Sequence, residues 1–266
     1  MAWRFWRSSP RPAVEVWRFE DLEALCRAGS AFVRELARVT LARKDAFHMA
    51  CGGGCAVRRL CELLPQSGVQ AAVDWSRVRV FFCEERCVPL EDPESTRAML
   101  REAFLERVDI PPGNVRHIPC ELGAARAAAT YEAELAAVFG AGPKPPALDL
   151  VVLGVGTDGA VAALAPGDPA LAETRRWVVP VRAATTIQGS TLGETSGATS
   201  ERVTLTLPVL NAAKAVMVLA TGADKAQAVA TCLAGNAATA SALPAALLRP
   251  VGRLVWLVDQ EAGQGL

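Results

Sequence analysis

Residues 148–167, LDLVVLGVGTDGAVAALAPG, decide the fold. The run from Leu148 to Leu153 is almost wholly apolar, which is typical of a parallel strand buried on both faces. It leads into a turn with three glycines and one ionisable side chain, Asp158. Glycines at the carboxyl end of a strand let a ligand approach the backbone, and ligands of open α/β sheets bind at that edge. Asp158 is therefore the first candidate site residue.

Strand-like and helix-like segments alternate on both sides of this stretch. The apolar patterns predict strands over 13–19, 46–51, 78–83, 115–119, 177–181, 202–207, 215–220 and 254–258, and helices over 20–40, 55–64, 93–108, 123–139, 208–213 and 226–233. This alternation predicts an α/β fold with a mainly parallel sheet flanked by helices. We expect residues 14–266 to form a single domain and residues 183–200, rich in Thr, Ser and Gly, to form a mobile surface loop.

Composition excludes several classes of function. The formal net charge is +0 and 51% of residues are apolar, which gives no case for binding nucleic acid or a membrane surface. The eight cysteines are scattered through apolar segments; the spacings 51/55 and 83/87 are only loosely metal-like, with two histidines in the chain. We expect reduced thiols, no metal site and a cytoplasmic location. Residues 1–13, basic and without acidic side chains, are expected to be a retained tail, with an organellar targeting signal as the alternative.

Two further strands end in residues suited to binding an anion. Gly52-Gly53-Gly54 follows one predicted strand and opens a predicted helix, a geometry that directs backbone N–H groups at an anion. A tight turn without a ligand fits the same residues. Glu84-Glu85-Arg86 follows the next strand, where a cleft is expected, so we favour a functional role over a surface charge cluster.

Taken together, the motifs resemble one family. Their order is the glycine turn, then the segments 84–89 (EERCVP), 154–159 (GVGTDG), 201–211 (ERVTLTLPVLN), 221–225 (TGADK) and 252–259 (GRLVWLVD). This set resembles 6-phosphogluconolactonase, a relative of the glucosamine-6-phosphate deaminases, from about Val14 onward. The resemblance implies a Rossmann-like three-layer α/β domain without metal or cofactor. It also implies hydrolysis of 6-phosphoglucono-1,5-lactone to 6-phosphogluconate in the pentose phosphate pathway.

The resemblance assigns roles position by position. Arg86, Arg202 and Lys225 match cationic residues of the family, and a guanidinium fork suits phosphate oxygens. Gly53 and Gly54 match the turn that offers backbone donors, although Cys55 stands where the family has a hydroxyl residue. Asp158 matches the family aspartate. These residues predict a sugar phosphate as the ligand.

One position departs from the family. The family motif has a histidine, the general base that takes a proton from the attacking water, where this chain has Ala160. A methyl group accepts no proton, and general-base catalysis typically contributes about 10²–10⁴-fold. Neither His48, at the start of a strand, nor His117 is expected to replace it.

Three hypotheses remain. The first is a slow lactonase that uses Asp158 or a side chain the sequence does not identify. The second is a non-catalytic homologue that binds a sugar phosphate or serves as a subunit of a larger protein assembly. The third rests on Gly154-x-Gly156-x-x-Gly159, which formally matches a dinucleotide fingerprint. It ranks well behind the others because Pro166 cuts short the helix that this fingerprint must open.

Overall fold

The predicted central strand ends in the glycine turn and lies in the middle of a large sheet. A computed structural model describes residues 14–66, 73–183, 200–234 and 243–266. The predicted tail, residues 1–13, lies outside these ranges, as do residues 184–199 of the predicted loop.

The described strands and helices follow the predicted order with shifts of a few residues at their ends. The strands are β1 (Val14–Phe19), β2 (Phe47–Cys51), β3 (Val78–Phe82), β4 (Glu84–Arg86), β5 (Val115–Arg116), β6 (Leu150–Gly154), β7 (Val178–Ala183), β8 (Ser200–Leu205), β9 (Ala215–Ala220) and β10 (Arg253–Asp259). The α-helices are α1 (Leu22–Leu41), α2 (Cys55–Leu63), α3 (Thr96–Ala103), α4 (Ala124–Phe139), α5 (Leu207–Ala212) and α6 (Ala226–Leu233). None of these helices is long and apolar enough to cross a membrane.

The large sheet is parallel throughout. Its seven strands lie in the order β1-β10-β9-β6-β2-β3-β5, and each neighbouring pair runs in the same direction. The apolar residues 150–153 of β6 are buried. Strands buried on both faces read as continuous apolar runs, so the predicted α/β fold with a mainly parallel sheet flanked by helices is confirmed.

A second, smaller sheet was not predicted. Strands β4, β8 and β7 form an antiparallel sheet in that order. It includes Glu84-Glu85-Arg86, which pairs residue by residue with the strand that carries Arg202. The pairing sets this sequence motif in a fixed strand rather than in a loop.

Helix α3 begins later than the predicted residue 93. Ser95 caps it, because its side chain accepts a hydrogen bond from the backbone N–H of Ala98 at 3.1 Å. The helix ends at Phe104, after which residues 105–107 form a 3₁₀ turn. The predicted helix over 93–108 is therefore eight α-helical residues and a separate turn.

The amino edge of the large sheet holds a buried carboxylate paired with two exposed lysines. Asp149, immediately before β6, accepts hydrogen bonds from Lys44 Nζ at 2.6 Å, Lys214 Nζ at 2.9 Å and the His48 backbone N–H at 3.0 Å. Burial alone would raise the pKa of Asp149, but these hydrogen bonds outweigh burial and hold the pKa well below its usual value. The cluster fixes the starts of three strands on the side away from the glycine turn.

Candidate functional site

Four neighbouring strands of the large sheet, β9, β6, β2 and β3, end at its carboxyl edge. The segments that follow them carry five of the predicted residues: Lys225 after β9, Asp158 after β6, Gly53 and Gly54 after β2, and Arg86 on β4. Adjacent strands lie about 4.8 Å apart, so the ends of these four strands span roughly 15 Å. The sheet thus brings residues that are up to 172 positions apart in the sequence to one edge.

Arg86 and Arg202 are the most informative pair at this edge. They lie opposite each other on β4 and β8, and their side chains are 18% and 11% exposed. Burial, together with the charge of Arg202, lowers the pKa of Arg86. Within the described ranges, Nε of Arg86 and both Nε and Nη2 of Arg202 are buried without a hydrogen-bond partner. Such donors are costly when left unpaired, so the pair is suited to an anion with several acceptor oxygens, such as a phosphate.

Glu85 fixes the strand that carries Arg86. Its buried carboxylate accepts hydrogen bonds at 2.8 Å from the backbone N–H groups of Arg86, Thr96 and Arg97. Burial and the neighbouring Glu84 raise the pKa of Glu85 to about 7. The carboxylate joins the first turn of α3 to β4, which holds the backbone of Arg86 in place.

The Glu84 carboxylate accepts a hydrogen bond from Gly53, whose backbone N–H was predicted to bind phosphate. The backbone N–H of Gly53 donates to Glu84 Oε1 at 2.8 Å, and Oε2 lies 3.9 Å from Arg202 Nη1. A side chain at position 53 would place its Cβ 2.8 Å from the same carboxylate oxygen, so Glu84 would have to move. In this structure Gly53 therefore supports the arginine pair through Glu84, and its amide is not an open donor. Gly54 precedes α2 with a φ of 110°, a backbone conformation that favours glycine.

A second carboxylate contacts the arginine pair. Glu94 Oε2 accepts a hydrogen bond from Arg86 Nη1 at 2.5 Å. Its side chain is 37% exposed, whereas that of Arg86 is largely buried. Glu94 is therefore a counter-ion at the solvent side of the pair, and sequence reasoning gave no signal for it.

The glycine turn presents Asp158 to solvent. Asp158 is exposed, and its Oδ1 accepts a hydrogen bond from the backbone N–H of Ala160 at 3.0 Å. After Ala160 the chain makes a tight turn in which Val161 and Leu164 pair, with Ala162 and Ala163 at φ values of 48° and 57°.

Left-handed conformations are rare for alanine, so contacts elsewhere must hold this turn. One such contact comes from the small sheet, because the buried hydroxyl of Thr204 on β8 donates to the Ala162 carbonyl oxygen. Arg202 lies on the same strand, two positions before Thr204. The turn with Ala160 and the arginine pair are thus attached to one strand.

Lys225 follows β9, and β9 is the strand next to β6 in the large sheet. Its Nζ forms an ion pair with Asp224 Oδ2 at 2.7 Å, and its side chain is 21% exposed. It is therefore placed at the same edge as Asp158 but is not part of the arginine pair.

The two histidines of the chain lie on or after strands other than β6. His48 is on β2 at the amino edge, where Nδ1 lies 3.5 Å from Asp149 Oδ2. His117 follows the edge strand β5, which is separated from β6 by β2 and β3, or about 14 Å. Burial and the charge of Arg97 lower its pKa. His48 therefore lies at the edge opposite the turn with Ala160, whereas His117 lies three strands away from β6.

The dinucleotide alternative does not fit the turn. A dinucleotide fingerprint opens a helix directly, whereas here residues 161–164 form a bridged turn and the described chain up to β7 contains only a short 3₁₀ turn at Pro169–Ala172. The described residues also bring together no group of three or more His, Cys, Asp or Glu side chains that would hold a metal ion.

Fold and edge residues define a class: an α/β protein with two opposed, largely buried arginines beside the carboxyl edge of a parallel sheet. The family model described as glucosamine-6-phosphate isomerases/6-phosphogluconolactonase matches residues 20–256. The chain therefore belongs to this family, as the motifs predicted.

Individual relatives agree with this assignment. A human 6-phosphogluconolactonase is 34% identical over 260 residues, which cover 97% of this chain and 95% of the relative. A rice protein described as a probable chloroplastic 6-phosphogluconolactonase is 31% identical, over 93% of this chain and 75% of its own length. The solved structure of 6-phosphogluconolactonase from Trypanosoma brucei has a TM-score of 0.82 and 27% identity, with 96% of this chain and 99% of that chain covered.

Proposed function

We propose that this chain binds a 6-phosphosugar at the carboxyl edge and hydrolyses 6-phosphoglucono-1,5-lactone to 6-phosphogluconate at a low rate. The pairing of Arg86 with Arg202, buried with three open donors, is the observation that supports the phosphate site. Lys225 is the proposed further cation at this edge. We also propose that residues 14–266 act as one domain.

The reaction needs a proton acceptor beside the lactone carbonyl. Water attacks the carbonyl carbon and gives up a proton to the acceptor, the bond between that carbon and the ring oxygen breaks, and the ring oxygen takes up a proton to become a hydroxyl group. Asp158 is the proposed acceptor, since its exposed carboxylate is hydrogen-bonded to the backbone of Ala160, where the family has its histidine. Carboxylates are weak bases at neutral pH, so the hydrolysis is expected to be slow.

A second candidate follows from Ala160 itself. Without an imidazole the chain would bind the phosphosugar and release it unchanged, acting as a sensor or as a subunit in an assembly with other proteins. The buried arginine pair supports this candidate equally, because anion binding needs no base.

Lactone hydrolysis by the purified protein separates the candidates once the spontaneous rate is subtracted. We expect hydrolysis above the spontaneous rate, its loss in Asp158→Asn, and an increase of about 10²–10⁴-fold in Ala160→His, because an imidazole near neutrality restores general-base catalysis. Ala172→His is a matched control that adds a histidine at an exposed position outside the turn.

The outcomes are distinct. Hydrolysis at the spontaneous rate together with binding of 6-phosphogluconate, measured by calorimetry, would establish the second candidate. Neither hydrolysis nor binding would refute both.

The proposed location is the cytoplasm. This proposal is supported by the scatter of the eight cysteines through apolar segments, a pattern typical of thiols in a reducing compartment.

A further inference from the structure

Two cysteines meet beside the arginine pair. The structure places Cys87 against Cys120, 33 positions later in the sequence, with their Sγ atoms 3.3 Å apart. Cys87 directly follows Arg86, and its backbone N–H continues the small sheet by donating to the Glu201 carbonyl at 2.9 Å. Cys120 begins a 3₁₀ turn, and its Sγ lies 4.0 Å from the Glu85 carbonyl oxygen. Both thiols thus contact the segment that holds Arg86.

The two thiols differ in access to solvent. Cys87 is half-buried, whereas Cys120 is buried. In such a pair the more accessible thiol, here Cys87, reacts first with an oxidant. The buried neighbour, Cys120, then attacks the oxidised sulfur to form a disulfide.

We propose that Cys87 and Cys120 form a reversible intramolecular disulfide that weakens anion binding by the arginine pair. The oxidant is a peroxide: Cys87 sulfur attacks one peroxide oxygen, giving a sulfenic acid and one molecule of water. The Cys120 sulfur then attacks the Cys87 sulfur, the S–S bond forms, and the hydroxyl group leaves as a second water with the Cys120 proton. Two thiols are oxidised, one peroxide is reduced, and a dithiol reverses the reaction by exchange.

The proposal requires that bond formation shifts the chain next to Arg86. A disulfide has an S–S distance of about 2.05 Å, so the two sulfurs must approach by about 1.3 Å from their present contact. Cys120 lies in a 3₁₀ turn fixed by the Cys120 N–H to Ile118 carbonyl hydrogen bond, so part of this shift falls on the end of β4. A shift of this size is enough to break a charge-assisted hydrogen bond made by Arg86.

Burial raises the pKa of the Cys87 thiol and also that of Cys120. Because the thiolate is the reactive form, oxidation by hydrogen peroxide should be slow at neutral pH and faster at alkaline pH.

Peptide mapping after hydrogen peroxide treatment tests the disulfide. Free thiols are alkylated, the protein is digested without reduction, and the peptides are weighed. We expect a cross-linked peptide pair containing residues 87 and 120, which dithiothreitol separates. Cys87→Ser should abolish it, Cys120→Ala provides a second test, and Cys26→Ser is the control, since its buried thiol lies outside the pair and donates to the Ala56 carbonyl. Separate alkylation of Cys87 and Cys120 after peroxide treatment would overturn the proposal.

Binding of 6-phosphogluconate tests the consequence, which presupposes the phosphate site proposed above. We expect Kd to rise about tenfold or more on oxidation, as for the loss of one charge-assisted hydrogen bond, and to recover with dithiothreitol. In Cys87→Ser the Kd should not respond to peroxide. An oxidised, cross-linked protein with unchanged Kd would overturn the regulatory role. Failure of the reduced protein to bind at all would instead refute the phosphate site and leave the mapping result intact.

Discussion

Replacing Arg202 with methionine should weaken phosphate binding while leaving the fold intact or slightly more stable. Methionine retains most of the apolar stem of the side chain but removes its charge. Two donors of Arg202, Nε and Nη2, have no partner among the described residues. If each makes a hydrogen bond to a phosphate oxygen worth about 1.5 kcal/mol or more, their loss costs about 3 kcal/mol, or roughly 100-fold in Kd.

Arg202→Met is expected to weaken binding but not stability: the free energy of unfolding should rise or stay the same. Arg202 lies directly opposite Arg86, and like charges in opposed positions of a sheet are destabilising. Its only ion pair in the described structure is a long one, 3.9 Å to Glu84. Removing the charge should therefore raise the free energy of unfolding by about 1 kcal/mol or leave it unchanged, as is common when a binding residue is neutralised.

Calorimetric titration with 6-phosphogluconate and urea unfolding measure the two effects. Arg253→Met is the matched control: this exposed arginine at the start of β10 pairs with Glu15, away from the carboxyl edge. Its Kd should match that of the unmodified protein. If Arg202→Met binds within about threefold of the unmodified protein, well below the expected loss, the arginine pair does not bind the phosphate.

Three further substitutions test contacts that stabilise the fold around and behind the site. Thr204→Val removes the buried hydroxyl that donates to the Ala162 carbonyl and should lower the free energy of unfolding by about 1–3 kcal/mol in urea; unchanged stability would show that the turn does not depend on β8. Ala163→Gly relieves a φ of 57° and should raise Tm by about 2–4 °C in calorimetry, whereas an unchanged or lower Tm would mean that the turn is not strained. Asp149→Asn should cost about 1–3 kcal/mol at pH 7, because the pKa of this carboxyl is lower in the folded than in the unfolded protein. That stability is present above the unfolded pKa of about 4 and is lost as pH falls, so the unfolding curves of variant and parent should converge in acid; a constant difference down to low pH would contradict the charge assignment.

The large sheet was predictable because its signals are local. Apolar runs such as 148–153 and 215–220 mark strands buried on both faces, and glycines or caps mark where they end. Since strands alternating with helices run parallel, their carboxyl ends must meet at one edge. The position of Asp158 and Lys225 at that edge follows directly.

The small sheet and its ion pairs were not predictable from local patterns. Strand β4 is three residues long, and its partner β8 lies more than 100 positions away in the sequence. Only this pairing sets Arg86 opposite Arg202. A charged run such as Glu84-Glu85-Arg86 gives no sign that its carboxylates are buried, because burial depends on the N–H groups of Gly53, Thr96 and Arg97 that reach them from other elements.

If a phosphate binds at the proposed site, the contact between Glu94 and Arg86 turns its entry into an exchange of anions. In the proposed site, an incoming phosphate that takes Nη1 of Arg86 in addition to the open donors displaces the Glu94 side chain into solvent, which its partial exposure permits. One negative group leaves as another arrives, so the resting pocket is already neutralised and has little attraction for stray chloride or other weak anions. To displace the Glu94 carboxylate, a ligand must then offer more than charge. It needs several oxygens positioned to accept from the guanidinium donors of the arginine pair.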